Sequence, residues 1–195
     1  MILTETTSLS SAVLPFHTLK EHLRLGTGFV EDDLQDGLLE VLLRAAISAI
    51  EARTGVVLLN RGYSWQLTHW RDDTRVNLPK RPISTVSAIT IFDKQANATV
   101  VDAERYVLRA DSQQPLIEAY FIFPSVPLGG SAEITFTAGY GADWADVPSD
   151  LGQAVILLAA HFYENRNGVA VAEAHFPQSV ETLIAPFRPI RGLRG

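Results

Sequence analysis

The stretch VPSDLGQAVILLAAHFYENRNG, Val147 to Gly168, limits the possible folds of this chain more than any other. At helical spacing Leu151, Val155, Leu158 and Phe162 form one apolar stripe, and Ile156, Ala159, Ala160 and Tyr163 form a second. Only a narrow sector, with Asp150, Gln153, His161 and Glu164, is polar. A helix that is apolar on two sides has to be covered twice. The first stripe is assigned to the protein's own core. The second, through Ile156, Ala160 and Tyr163, is assigned to a neighbouring subunit. Pro148 suits the first helical turn, where its missing N–H has no intrahelical partner, and Arg166 and Gly168 mark the end.

The cover for the first stripe comes from the other long helical segment, roughly Glu31 to Thr54. Its opening EDD places acidic residues where the helix dipole favours them, and Gly55 supplies a carboxyl cap. Leu34, Leu38, Leu42, Ala45 and Ala49 recur at helical spacing, and Leu34, Leu38, Leu42 and Ala45 are expected to meet Leu151, Val155, Leu158 and Phe162. A shorter helix precedes it at TLKEHLRL, where Thr18 and Glu21 have capping-box spacing; Leu19, Leu23 and Leu25 supply its buried side, and Gly26 and Gly28 end it. After Arg61 the period changes to two. Tyr63, Trp65 and Leu67 share a face, and Ala132, Ile134 and Phe136 alternate with Glu133, Thr135 and Thr137. Strands are predicted near 63–70, 75–79, 86–92, 99–109, 116–123 and 131–138, separated by turn-forming pieces such as RDDT, DKQAN, DSQQP and PSVPLGGS. A last short helix covers about Gln178 to Ala185. The fold class is therefore α+β: a helical core, residues 1–60 and 142–195, interrupted by an antiparallel sheet or small sandwich over 61–141.

Composition removes several kinds of chemistry. The 195 residues contain no cysteine, which excludes disulfides, zinc–thiolate sites and thiol nucleophiles. A formal net charge of −6 argues against a protein that grips nucleic acid, since such proteins cluster Lys and Arg against phosphate. The amino terminus lacks the basic start and continuous apolar core of a signal peptide, and no run is long enough for a membrane span, so a soluble protein of the cytoplasm is expected. His161 and Glu164, one helical turn apart, and His175 beyond them form the one arrangement that hints at metal-assisted hydrolysis. The pair also falls where an amphipathic helix places solvent-facing residues. His17, His22 and His69 are scattered. GYGADW has two glycines before a helix but lacks the lysine and spacing of a phosphate loop. Asp32 with Asp33 reads as a helix opening, and Asp72 with Asp73 as a turn. No cofactor is expected.

Taken in order, TLKEHLRL, LLEVLLRAAISAIEARTGVVLL, VNLPKRPISTVSAITIFD, ITFTAGYG with VPSDLGQAVILLAAHFYENR, and FPQSVETLIAPFRPIR resemble the head-tail connector (adaptor) proteins of tailed phages. The similar branch carries a β insertion and also occurs in gene transfer agents. The resemblance spans about Leu19 to Arg191. It implies a non-enzymatic ring, twelve subunits matching the portal protein, that extends the DNA channel and receives the next tail component, a stopper or tail terminator. It places the protein in the host cytoplasm during assembly and then at the head-tail junction, with DNA passing without specific binding and no membrane contact. The carboxyl-terminal arm, through Val180, Leu183, Ile184, Phe187, Arg188 and Arg191, is expected to dock onto the portal or an adjacent subunit, because a segment this short orders best in a groove.

Overall fold

The change of period along the chain reappears in the elements it forms. In chain order these are β1 (Ile2–Glu5), α1 (Phe16–His22), α2 (Asp32–Thr54), β2 (Arg61–Leu67), β3 (Arg75–Asn77), β4 (Ile83–Phe92), β5 (Ala98–Val100), β6 (Tyr106–Arg109), β7 (Leu116–Ala119), β8 (Ser131–Ala138), α3 (Ser149–Glu164) and α4 (Gln178–Ile184). The computed structural model of the protein describes residues 1–25, 32–165 and 176–189. The chain is α+β with antiparallel sheets, and it divides into two units. One unit is Met1–Leu9 with Leu59–Tyr140; the other is Ser10–Leu58 with Gly141–Gly195. The first nine residues, expected among the helices, therefore run with the sheets. The cause is β1, whose Ile2 to Glu5 pair antiparallel with Gln66 back to Tyr63.

In the helical unit α3 is buried on both its apolar sides: Leu151, Ala154, Val155, Ile156, Leu158, Ala159 and Ala160 are all inaccessible. The chain itself supplies the second cover, because α1 and α4 as well as α2 lie against α3. Leu19 of α1 and Val180 and Ile184 of α4 are fully buried. Ile156 and Ala160 are thus core residues, which corrects the expectation that they meet a neighbouring subunit; Tyr163 is half-buried.

The buried stripe of α2 also differs from the expected one. Leu39, Leu43, Ala46, Ile47 and Ile50 are buried, whereas Leu38 is 40% and Val41 62% exposed, Ala45 is exposed and Leu42 is half-buried. The Leu34 side chain lies outside the described part. Adjacent pairs, Leu38-Leu39, Leu42-Leu43 and Ala45-Ala46, let two stripes one residue apart fit the helical period equally well. The observed register buries Ile47 and Ile50, where the alternative ends in Ala49, and the larger apolar area removed from water decides between them. Beyond α2 the chain is pinned by polar groups. Gly55, at φ +72°, donates its N–H to the Glu51 carbonyl at 2.8 Å. The buried Thr54 hydroxyl donates to the Ile50 carbonyl and accepts the Val56 N–H, and the buried Glu51 carboxylate accepts the Leu58 N–H at 2.8 Å. At α1 the Thr18–Glu21 capping box does not form: the helix begins at Phe16 after Pro15, without a side-chain cap. Gly26 and Gly28 lie outside the described residues.

In the sheet unit β8 is the central strand of a five-stranded sheet ordered β1-β2-β8-β4-β5. Its Ala132, Ile134, Phe136 and Ala138 are buried while the residues between them are half-buried, the strict alternation that its sequence shows. Tyr63 and Phe136 are register partners and stack with ring centroids 5.5 Å apart. A second sheet, ordered β3-β7-β6, buries Ile117 at its centre. The single strand expected at 99–109 is two, β5 and β6, because Asp102 caps a 3-10 turn at Ala103–Arg105 by accepting the Glu104 N–H at 3.0 Å.

The register of α2 is directly testable. Leu39→Ala and Leu158→Ala should each cost about 2 to 5 kcal/mol, while Leu38→Ala should cost less than about 0.5 kcal/mol. Denaturant unfolding of the three variants measures the contrast, and equal losses at 38 and 39 would show that the stripe is set wrongly.

Candidate functional site

Of the residues singled out for metal chemistry, His161 has a structural role at the end of its helix. His161 is half-buried near the end of α3, and its ring Nδ1 lies 3.1 Å from Asn165 Nδ2. That same amide donates to the His161 carbonyl at 2.8 Å, so Asn165 caps the helix through the histidine. Glu164 is exposed, and His175 lies outside the described residues. Among the described residues no three His, Asp or Glu side chains gather closely enough to hold a metal ion.

The two glycines of GYGADW make room for neighbouring atoms. Gly139, at φ +138°, runs so close to Leu59 and Asn60 that a Cβ there would overlap their backbone, and a Cβ at Gly141 would overlap the Asp146 carboxylate. Asp143 and Asp146 close a capping box around the 3-10 turn Trp144–Asp146. Asp72 organises a turn: its Oδ1 accepts the Thr74 N–H and hydroxyl, each at 2.7 Å, and the Arg75 N–H at 3.1 Å. The Thr74 donors above all hold its carboxyl below the ordinary range.

The carboxyl-terminal arm is largely committed to its own unit. Val180 and Ile184 are fully buried, which corrects their assignment as docking residues: their apolar area already covers α3. Glu181 accepts from Arg53 Nη2 at 3.2 Å and pairs with Arg188, so Arg188 also has an internal partner. Leu183 and Phe187 are half-buried. Arg191 lies outside the described residues.

Two exposed apolar surfaces were not anticipated. The first is the connection from β7 to β8, residues 120–130. Tyr120, Phe121 and Ile122 are all exposed, Phe121 at 84%, and Leu128 is 98% exposed at the head of a turn closed by the Gly130 N–H on the Pro127 carbonyl. The first half of this connection is held by hydrogen bonds. The N–H groups of Ala119, Tyr120 and Phe123 donate to the carbonyls of Thr74, Arg105 and Asp73 at 2.8, 3.0 and 2.7 Å. Trp70 donates its indole N–H to the Pro124 carbonyl at 2.7 Å, and its ring lies 5.0 Å from that of the buried Phe123. Beneath it Glu118 of β7 joins β3 to β6, meeting Arg75 Nη2 at 3.0 Å and Arg109 Nε at 2.9 Å. Arg109 first and then Arg75 hold its carboxyl below the ordinary range. The second surface is the outward side of α2, where Gln35, Leu38, Val41, Ala45, Ser48 and Ala52 follow one another without a charge. The sequence signal for the first was the run YFIF, four successive apolar residues that an alternating strand cannot place on one face.

Comparison with known proteins gives this geometry a context. The family model described as head completion protein matches residues 27–190. The chain belongs to the head completion protein family. A solved chain from the neck of an empty gene transfer agent particle, computed with C6 symmetry, is 43% identical, with a TM-score of 0.91 over 100% of this chain and 99% of that one. A chain from the virion of a native gene transfer agent particle is 42% identical, with a TM-score of 0.87 and the same coverage. A third, from the neck of a native particle computed with C12 symmetry, is 39% identical, with a TM-score of 0.85 and again 100% and 99% coverage. Comparison with curated proteins finds no match. For a member of this family the exposed surfaces carry more meaning than the scattered histidines, because joining components is a matter of surfaces.

Acid titration tests the role of the paired carboxylates. Asp72 and Glu118 have lowered folded pKa values, so the stability they contribute is present above the ordinary carboxylate range and is lost as pH falls below about 4. Melting temperature followed from pH 7 to pH 3 should hold level and then drop, and Glu118→Gln should make the drop shallower. An unchanged acid slope in that variant would remove Glu118 from the account.

Proposed function

We infer that this chain is a structural head-tail connector, a neck component at the head-tail junction of a gene transfer agent or related phage-like particle. The observation that carries this reading is the full-length likeness, at 39–43% identity, to chains from gene transfer agent necks and virions. Relatives computed with C6 and C12 symmetry support self-association into a ring. Closed cyclic assemblies use heterologous contacts, in which one surface of each copy meets a different surface of the next.

The finer reading is a ring of twelve beneath the portal protein that carries the DNA channel onward to a stopper or tail terminator. Net acidity supports it, since a wall of like charge lets DNA slide instead of holding phosphate. Such work needs no catalytic residue. In the arm, the half-buried Leu183 and Phe187 and the residues from Arg188 onward, Arg191 among them, are the portion we assign to docking on the portal, since Val180 and Ile184 are spent on the core.

Two truncations separate core from docking. Deleting residues 177–195 removes Val180 and Ile184 and should lower the melting temperature, whereas deleting 190–195 should leave it near normal while reducing attachment to the portal at least tenfold. Unchanged portal binding by the shorter deletion would refute docking through Arg191 and the residues beside it. His161→Ala should leave the joining of heads to tails intact; loss of joining with a normal melt would bring back the metal-site reading of His161, Glu164 and His175.

A further inference from the structure

We propose that the β7–β8 connection of one copy seats its apolar tip on the uncharged outward stripe of α2 in the next copy, and that this contact is one of the heterologous interfaces of the ring. The proposal rests on the neck assignment above and names the surfaces that assignment leaves open.

Four observations converge. Tyr120, Phe121, Ile122 and Leu128 are exposed in one short connection, and the backbone around the first three is fixed by the hydrogen bonds to Thr74, Arg105 and Asp73 and by Trp70. An apolar tip that is rigid before binding loses little conformational entropy on docking. Along α2 an uncharged strip of Gln35, Leu38, Val41, Ala45, Ser48 and Ala52 runs on the exposed side, bordered by Asp36, Glu40 and Arg44, and Leu38 and Val41 stand out from it. At its border Glu40 and Arg44, one helical turn apart, pair at 2.7 Å. The two surfaces are unlike each other, a projecting tip and a long stripe with small Ala45 and Ser48 beyond its large residues, so neither is built to meet its own copy. Finally, a contact through Phe121 and its exposed neighbours alone covers less than the roughly 800 Å² per partner of a stable pair. One such contact would leave free copies apart, while a closed ring, in which every copy makes the contact twice, would hold it. A second copy is therefore the occupant that fits both surfaces at once.

The absence of cysteine makes the test clean. Val41→Cys and Phe121→Cys are introduced singly and together, particles are produced with each variant as the sole source of this protein, and purified particles are treated with a short bis-maleimide and run on a denaturing gel. The double variant should give a ladder of covalent multimers, each single variant should stay monomeric, and particles made from both singles should stop at a dimer. A single Phe121→Cys variant that links to itself, or to a different particle component, would overturn the assignment of α2 as the seat. So would a double variant present in the neck at normal amount but not linked. As a second measurement, Phe121→Asp should melt normally and reduce incorporation at least tenfold, and normal incorporation would count against the proposal. Wild-type protein missing from purified particles would instead refute the neck assignment itself, and the proposal would fall with it.

Discussion

Everything in the helical unit answers to one requirement, that α3 be out of water on every side but one. A single partner helix covers one stripe of such a rod and leaves the other exposed. Here the long α2 provides the first cover, and two elements of seven residues each, α1 and α4, provide the rest. Neither short helix is long enough to persist alone. Each is held by what it covers, with Leu19 on one and Val180 and Ile184 on the other wholly removed from solvent. Truncating the buried face of α3 would therefore loosen three neighbours, including the base of the carboxyl-terminal arm.

In the sheet unit β8 has the corresponding place. It lies between β2 and β4, and its buried residues pair with Tyr63 and Trp65 on one side and Val86 and Ile89 on the other. Close packing at the ends of this strand limits Gly139 to glycine, because any side chain there would collide with the chain entering β2. The glycines that suggested a phosphate loop are accounted for by sterics, and Asp72 by the turn hydrogen bonds it accepts.

What the sequence made legible was period and order: the long helices, the alternating strands, the α+β class and the family. It left undecided what several surfaces would meet. The α2 stripe was ambiguous because leucines and alanines come in adjacent pairs, and only the extra burial of Ile47 and Ile50 separates the two choices. At Ile156 and Ala160 a helical wheel shows that a face is apolar without showing what covers it. β1 was missed because its four residues are all exposed and have no alternation; its order comes from pairing with β2. At 120–122 the residues have strand propensity but are exposed in a connection, since β propensity does not distinguish a buried run from a presented one.

The interleaving of the two units along the chain has a consequence for synthesis. The sheet unit needs residues 1–9 and 59–140, so every strand it uses has left the ribosome once Tyr140 is free. The helical unit is begun earlier and finished later. Leu39, Leu43 and Ile50 of α2 are made about a hundred residues before the α3 surface that shelters them, and α4 comes later still. During that interval the apolar face of α2 lacks the α3 surface that later covers it, the kind of exposure that favours misassociation before folding is complete.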